Sequence, residues 1–530
     1  MANESNAGLV LLNARVLTPE SGRGPGFCYA QAAAVTGDSI TAVGSDFEIS
    51  ALAKAGARSI DCAGMTLVPG IVDSHCHLLA LAASLQGLDC SPPSISSIPQ
   101  LGQVLQQRTG GTPAGDWVRG FGYDDGSLSE NRHPTRWDLD PASPNHPVRL
   151  DHRSGHASVL NSLGLALAGI NRDTPDPADG VIERDPATGE PTGLLLEMAG
   201  LLRQRLGSTR NATEFQRSVE SLNTKLLSCG ITSVQDAGPS NGIERWQTFS
   251  RLKEQWSLAS RVTMMAGASH LSEFQSSGMS WGSGDDSLRL GHAKIMLTFT
   301  TGAMAPSIEE LRESVSKARA AGFPVAIHAV EQEAVAAAAR VIEAEINSQP
   351  SGVPRDRIEH CSECPPELVD MVRRSGASVV TQPGLVYWHG DEYNTRVDQE
   401  MLPHLYPIGA LDRAGIPLAF GSDAPVISPD PWAGIYGAVA RRTRPGANMS
   451  SRESSGQASG QTISTQDALR MYTEAGARSE GTGGKKGTIQ AGKLADLVLL
   501  DKNPFEVETP ELANIRPVLT IVGGQVVWEG

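Results

Sequence analysis

Val68-Pro69-Gly70-Ile71-Val72-Asp73-Ser74-His75-Cys76-His77 reads as an apolar β run that ends in two histidines one residue apart. Alternate side chains on a strand share a face, so both imidazoles can point at one ion. The same pattern describes an edge strand with two solvated histidines. The apolar residues before the pair and the Pro-Gly entry favour a strand that delivers its tip to a pocket. A single His-x-His is weak evidence for a metal, so the rest of the chain must supply the missing ligands. By strand alternation Cys76 points away from the pair and serves packing.

Strand-like runs separated by helical stretches recur at 66–75, 231–236, 261–267, 292–298, 324–329, 356–361, 377–383 and 416–422. Strands alternating with helices require a parallel sheet, and eight such units close most simply into a (β/α)8 barrel with its chemistry at the C-terminal strand ends. Helix starts support this rhythm: Ser307-Ile308-Glu309-Glu310 resembles a capping box for a helix to about Ala321. Ser464-Thr465-Gln466-Asp467 opens another through about Ala475.

Outside the barrel, residues 8–19, 27–35 and 39–43 alternate apolar and polar residues between turns, which predicts a small antiparallel sheet. Residues 496–501 and 518–528 have the same character. Neither end has enough strands to cover an apolar face alone, so the two are expected to form one discontinuous β-sandwich. The expected fold class is therefore α/β, a TIM-type (β/α)8 barrel with a sandwich from both chain ends. The boundaries are 1–65 plus 485–530 for the sandwich and 66–484 for the barrel. Residues 85–200, rich in Pro, Gly and Asp, break the βα rhythm and read as an insertion after barrel strand 1 that covers the mouth. Within it, Val148-Arg149-Leu150-Asp151-His152-Arg153-Ser154-Gly155-His156 places charged groups beside a strand end, and this run suits a substrate contact or a solvated turn equally. The Ser/Gly-rich stretch 445–463 reads as a loop on the mouth side.

Composition narrows the partners. A formal net charge of −15 and a pI near 5.3 disfavour nucleic acid and anionic membranes, which require a basic face. No apolar run approaches a membrane span, and Met1-Ala2-Asn3-Glu4-Ser5 lacks the basic start of a signal peptide. A cytoplasmic protein acting on a small molecule is expected, with a homodimer as the default assembly. Seven irregularly spaced cysteines make no disulfide framework, and Cys361-x-x-Cys364, without a second such pair, reads as two thiols beginning a helix.

Other barrel strand ends carry metal-ligand chemistry: Ala326-Ile327-His328, Arg357-Ile358-Glu359-His360, and Gly421-Ser422-Asp423-Ala424-Pro425. Four histidines and an aspartate at one end of one barrel are hard to dismiss as separate hydrogen-bonded polar residues. Unpaired, each would cost roughly 1–3 kcal/mol if buried. Imidazoles suit zinc and its neighbours, and the aspartate adds charge and accepts a proton. Lys294, among apolar residues on the fourth strand, reads as a partly buried lysine whose ammonium reaches the mouth. As a neutral amine meeting CO2 it would become a carbamate, an anionic ligand.

This constellation resembles the metal-site pattern of the amidohydrolase superfamily. Gly155-His156 followed by Asn161-Ser162, and Gly492-Lys493-Leu494-Ala495-Asp496-Leu497-Val498-Leu499, resemble amidohydrolase family 3, the branch containing N-substituted formamide deformylases. The resemblance covers nearly the whole chain. It implies that His75, His77 and Asp423 bind one metal, that His328 and His360 bind a second, and that carbamylated Lys294 bridges them. It also implies zinc, as one ion or two. Two departures bear on contacts behind the ligands. Thr298-Phe299 replaces an Asp-Gly usual after the strand-four lysine, and Glu331-Gln332 replaces a Gly-Asp usual after the strand-five histidine.

The reaction expected on such a barrel is hydrolysis of an amide-type C–N bond. A metal-bound hydroxide attacks the carbonyl, Asp423 shuttles the proton to the departing nitrogen, and His360 or His156 stabilises the oxyanion. Asp151 is a further substrate-binding candidate. Trp388, His389 and Tyr393, after the seventh strand, are candidates to line the leaving-group pocket, although aromatic residues in such a position equally serve packing. Cyclic amides, carbamates, esters and deamination remain alternatives on the same barrel, and a non-catalytic scaffold is a third reading. Other catalytic templates fit worse. Gly481-Thr482-Gly483-Gly484-Lys485-Lys486-Gly487 lacks the Gly-Lys-Ser/Thr ending of a phosphate loop, and Ser314 and Lys317 stand in a surface-like helix without support.

Overall fold

A computed structural model describes residues 7–19, 27–92, 94–177, 180–206, 212–299, 302–449 and 458–530. Eight strands form the central sheet: β1 (Ile71–Cys76), β2 (Ile231–Asp236), β3 (Arg261–Gly267), β4 (Leu288–Ile295), β5 (Val325–Ala329), β6 (Arg357–His360), β7 (Ser378–Thr381) and β8 (Leu418–Phe420). They follow one another in sequence order, and every neighbouring pair is parallel. Their residues are buried almost without exception, as a parallel sheet covered on both faces requires. Beyond β8 the chain runs against β1: Asp423 N–H donates to the His75 carbonyl at 2.7 Å, and Ser422 N–H to Asp73 Oδ1 at 2.9 Å. A Cβ on Gly421 would meet His75 N at 2.5 Å, so glycine is required where the two edges meet.

The helices outside the barrel bury one stripe each. The principal ones for the site are α1 (Ala212–Ser228), α2 (Ile308–Ala320), α3 (Gln332–Ala344), α4 (Pro366–Ser375) and α5 (Gly384–Arg396). The capping box of α2 forms as the sequence predicts, with Ser307 and Glu310 each capping the other's backbone. In α3, Ala334, Val335, Ala338, Val341 and Ile342 face the core at the i, i+1, i+4, i+7, i+8 spacing of one helix face. The predicted helix from Ser464 is interrupted, spanning Thr465–Met471 and then Glu474–Ser479. The carbonyl of Tyr472 accepts from Val72 N–H of β1 at 2.7 Å, so the strand takes the acceptor that a continuous helix would use.

The predicted strand 66–75 is two strands. Thr66–Pro69 pairs with Leu497–Leu500 and Arg15–Pro19 in a terminal sheet, while Ile71–Cys76 belongs to the barrel. Gly70 is the crossing point: a Cβ there would lie 2.1 Å from Thr232 Oγ1. The chain ends supply a six-stranded and a four-stranded sheet, and Leu11, Val16, Val35, Ile40, Leu67, Leu499 and Ile521 form their shared core. The four-stranded sheet is not purely antiparallel, since Ala7–Leu12 pairs in parallel with Ala53–Asp61. That strand is exposed along nearly its whole length, which removes the alternation by which it would be read.

The insertion after β1 folds into its own six-stranded mixed sheet, in the order Val181–Arg184, Pro191–Leu196, Ala157–Leu160, Val148–His152, Val118–Tyr123 and Leu88–Asp89. Leu101, Leu105, Tyr123, Leu150 and Val159 belong to its core. Arg153 reaches from it to Glu392 on α5 at 2.6 Å, fastening the insertion to the barrel. Residues 450–457 of the expected loop lie outside the described residues. No helix among the described residues is long and apolar enough to cross a membrane.

Candidate metal centre

At the C-terminal end of the barrel, His75, His77 and Asp423 each offer one ligand atom, and the three atoms lie within 4.8 Å of one another. Asp423 Oδ1 stands 3.4 Å from His75 Nε2 and 3.1 Å from His77 Nε2. The imidazoles of His328 and His360 adjoin this group, with ring centroids 4.7 Å apart for His75 and His360 and 4.4 Å for His328 and His360. Five predicted ligands from β1, β5, β6 and the segment after β8 thus form one cluster.

Two of them occupy the left-handed region of backbone space, His360 at φ 69° and Asp423 at φ 58°, and Cys361 follows at 50°. Such a conformation costs a non-glycine residue about 1–3 kcal/mol and persists only where the surroundings determine it. By alternation His360 shares a face with Ile358, whose side chain is in the hydrophobic core. Its left-handed turn brings the imidazole to the mouth instead. Cys76 lies in the core, with Sγ 3.6 Å from the Ala424 carbonyl. Cys361 and Cys364 are buried free thiols ahead of α4.

Two of the predicted ligands, His75 and His360, are held from behind. His75 Nδ1 bonds to Glu359, whose carboxylate also receives Arg357 through Nε at 2.7 Å and through its second nitrogen at 3.0 Å. Arg357 further reaches the Ser74 carbonyl at 2.8 Å and the Gln235 side chain. His360 Nδ1 meets Gln382 Oε1 at 2.8 Å. These contacts fix the ring orientations and leave the Nε2 atoms of His75 and His360 toward the cluster. His360 Nε2 and Lys294 Nζ are buried with no hydrogen-bond partner among the described residues.

The electrostatics keep the nitrogens available. Burial and the nearby Lys294 charge push the His75 imidazole down to about 3. Burial, then His360 and Lys294, holds His328 well below its ordinary range, and burial also lowers His360. All three are therefore neutral at pH 7, the state that ligates a metal. Burial would raise the Asp423 pKa, but the His77 hydrogen bond and the surrounding imidazoles outweigh it and hold the carboxylate below its usual range. Burial brings Lys294 down to about 8, against the opposing pull of Glu359 and Asp423.

The other predicted site residues are distributed as follows. His156 faces the cluster from the insertion, its ring 5.9 Å from that of His328 and its Nδ1 2.8 Å from Glu197 Oε1. Asp151 is held inside the insertion by Arg149 at 2.7 Å and Ser158 at 2.6 Å. Trp388, His389 and Tyr393 lie on α5. Trp388 packs against Tyr387 and under the Arg444 guanidinium, and the Tyr393 hydroxyl is 3.4 Å from that of Tyr406. Burial and the nearby Arg153 push His389 down to about 3. Glu359, Gln382 and Glu197 were not singled out from the sequence. The Arg357-x-Glu359 alternation on one strand face was a readable signal for the first. The partners Gln382 and Glu197 are 22 and 41 residues away from the histidines they hold, with no local pattern to mark them.

Four imidazoles, a carboxylate and a buried amine gathered at the C-terminal rim of a parallel barrel define the class of metal-dependent hydrolases. The amidohydrolase family model matches residues 58–528, and this chain belongs to that family and is a metal-dependent hydrolase acting on carbon–nitrogen bonds. It is 30% identical to an N-substituted formamide deformylase of Arthrobacter pascens over 98% of each chain. It is 28% identical to a putative amidohydrolase of Bacillus subtilis over 89% of this chain and 90% of that one. An uncharacterized metal-dependent hydrolase from Pyrococcus horikoshii shares the fold with a TM-score of 0.75 at 23% identity, covering 94% of this chain and 99% of the other.

Proposed function

We propose that the protein cleaves a linear amide of a small molecule, an N-acyl or N-formyl amine, at a zinc centre of one or two ions. The observation that carries this reading is the convergence of His75, His77 and Asp423 beside two buried nitrogens without partners, His360 Nε2 and Lys294 Nζ. An apolar core does not leave such atoms unpaired without cost, whereas a bound cation and a modified lysine satisfy them. The donor set fits zinc: neutral imidazoles with their second nitrogens held, and an ionised carboxylate. His75, His77 and Asp423 would hold one ion and His328 and His360 another. Lys294, with its pKa brought down to about 8, is partly neutral near pH 7 and would, as a carbamate, supply a further anionic ligand.

A divalent ion there supplies Lewis acidity toward the carbonyl and hydroxide at neutral pH. The chain supplies the rest. Asp423 is ionised and stands at the cluster, where it accepts the proton of the attacking water and returns it to the leaving nitrogen. His156 is held by Glu197, so that its Nε2 is left to donate to the carbonyl oxygen as charge develops there. The insertion and α5, joined by Arg153 and Glu392, close the mouth around the substrate.

The similarity to an N-substituted formamide deformylase supports N-formyl amines as first substrates to assay. The test combines metal analysis with a screen of N-formyl, N-acetyl and longer N-acyl amines, scoring carboxylate, amine and ammonia. Release of a carboxylate and an amine, abolished by chelation and restored by zinc, is expected. Full activity after exhaustive chelation rejects the metal mechanism, and no turnover with stoichiometric zinc present rejects the linear-amide substrate.

A further inference from the structure

A second group of ligand-type side chains stands in the insertion and shares no residue with the barrel cluster. Asp124, Asp125 and His152 each offer an atom within 4.8 Å of the others. His152 Nε2 is 3.1 Å from Asp125 Oδ1 and 3.7 Å from Asp124 Oδ1, yet this buried nitrogen makes a hydrogen bond to neither. It is close to both carboxylates without being directed along a bond to one, as expected of donors turned toward a common point. His133 flanks the group, with Nε2 3.9 Å from the same Asp125 oxygen.

Both imidazoles are fixed through their other nitrogen. His152 Nδ1 lies 2.8 Å from Ser154 Oγ, and His133 Nδ1 lies 3.0 Å from the Tyr123 hydroxyl. A partner on the second nitrogen fixes the orientation of each imidazole. Zinc at about 2.0–2.2 Å from its donors places them roughly 3.3 Å apart, near the 3.1 Å and 3.7 Å that separate His152 Nε2 from the two carboxylates. Asp124 is 3% exposed and His152 11%, while Asp125 and His133, at 30% and 29%, leave a way in for an ion.

We propose that His152, Asp125 and Asp124 form a separate site for a divalent transition metal, zinc by its donor chemistry. It ties the turn after Val118–Tyr123 to the end of Val148–His152. The next residue, Arg153, is bonded to Glu392 on α5, so the site stiffens the roof of the barrel mouth at its attachment. The competing arrangement is an ion-pair network. Arg153 Nε lies 3.3 Å from Asp124 Oδ1, and Ser154 N–H stands 3.2 Å from His152 Nδ1, which would place the proton on Nε2.

The two are separated by counting metal in variants. A chain carrying His75→Ala, His77→Ala and Asp423→Asn, stripped with chelator and dialysed against zinc, retains about one zinc per chain, and its thermal midpoint rises with zinc. Adding Asp125→Asn and His152→Gln removes both effects, and cobalt in place of zinc gives the visible absorption of tetrahedral coordination only before that addition. A folded barrel-site variant that binds no zinc, or whose zinc is unaffected by the insertion substitutions, overturns the proposal. Should the barrel-site variant fail to fold, the full chain with Asp125→Asn and His152→Gln must bind one zinc fewer than the unaltered protein at saturation. An equal count overturns the proposal equally.

Discussion

Glu359→Gln changes one atom of a residue that touches no substrate, yet the structure makes it consequential. Its carboxylate accepts from His75 Nδ1 and from two nitrogens of Arg357, three donors at an acceptor-only group that is fully buried. An amide offers one oxygen and two N–H donors. If it keeps Arg357, its NH2 faces His75 Nδ1, the imidazole takes the other tautomer, and Nε2 carries a proton where it must ligate. Loss of such a contact behind a ligating histidine typically costs 10–100-fold in metal affinity, or about 1.4–2.7 kcal/mol. The Arg357 charge, at 0% side-chain exposure, also loses its counter-ion, which costs about 3–5 kcal/mol of stability. Zinc affinity is read by competition with a chromophoric chelator, and stability by the thermal midpoint. The double variant Arg357→Met with Glu359→Gln separates the two effects, because it recovers stability while zinc affinity stays low. A folded Glu359→Gln protein that binds zinc within twofold of the unaltered chain would refute the reasoning.

Glu197→Gln is expected to lower kcat/KM by about 10–100-fold, the equivalent of a charge-assisted hydrogen bond worth about 1.5–3 kcal/mol. Metal content should be unchanged, and a parallel loss of metal would show that His156 does not act independently of the cluster. Gly70→Ala forces a Cβ to 2.1 Å from Thr232 Oγ1 and should cost about 1–3 kcal/mol or more in thermal unfolding, with partial recovery when Thr232→Ala is added; a neutral Gly70→Ala refutes the crossing-point role. Lys253, half-buried with its ammonium on the Leu258 and Ser260 carbonyls, has its pKa pushed down to about 7 by desolvation and then by Arg261. The unfolded chain holds that proton up to about pH 10.5. From pH 7 to 10.5 the unfolded state therefore binds more protons, and stability rises with pH by at most about 1.4 kcal/mol per unit. Relative to Lys253→Met, the unaltered protein should gain roughly 2 kcal/mol between pH 7 and pH 9, and parallel stability profiles would contradict the shift.

Much of the architecture was legible from the chain alone, because strand burial and helix caps are local properties. The eight barrel runs, the capping box at Ser307 and the partnership of the two chain ends follow from apolar pattern, turn residues and the need to cover a hydrophobic face. The candidate ligands were legible for the same reason: His75, His77, Lys294, His328, His360 and Asp423 all occur at or near the ends of such runs. The exposed strand Ala53–Asp61 escaped, since a strand with little burial shows no alternation. The division at Gly70 escaped because its cause, Thr232, lies 162 residues away.

What the tertiary structure alone decided is how those groups meet. Alternation assigns His360 to the helix-facing side of β6, and only its positive φ returns it to the mouth. Glu359, Gln382 and Glu197 act as holders solely because barrel closure and the insertion bring them to particular imidazole nitrogens. The adjacent Asp124 and Asp125 and the distant His152 lie on two segments of the insertion and become one group only when its sheet forms. Sequence sets which donors are present and which local elements carry them. Hydrogen-bond direction, burial and the resulting protonation states depend on long-range packing, which no local pattern encodes.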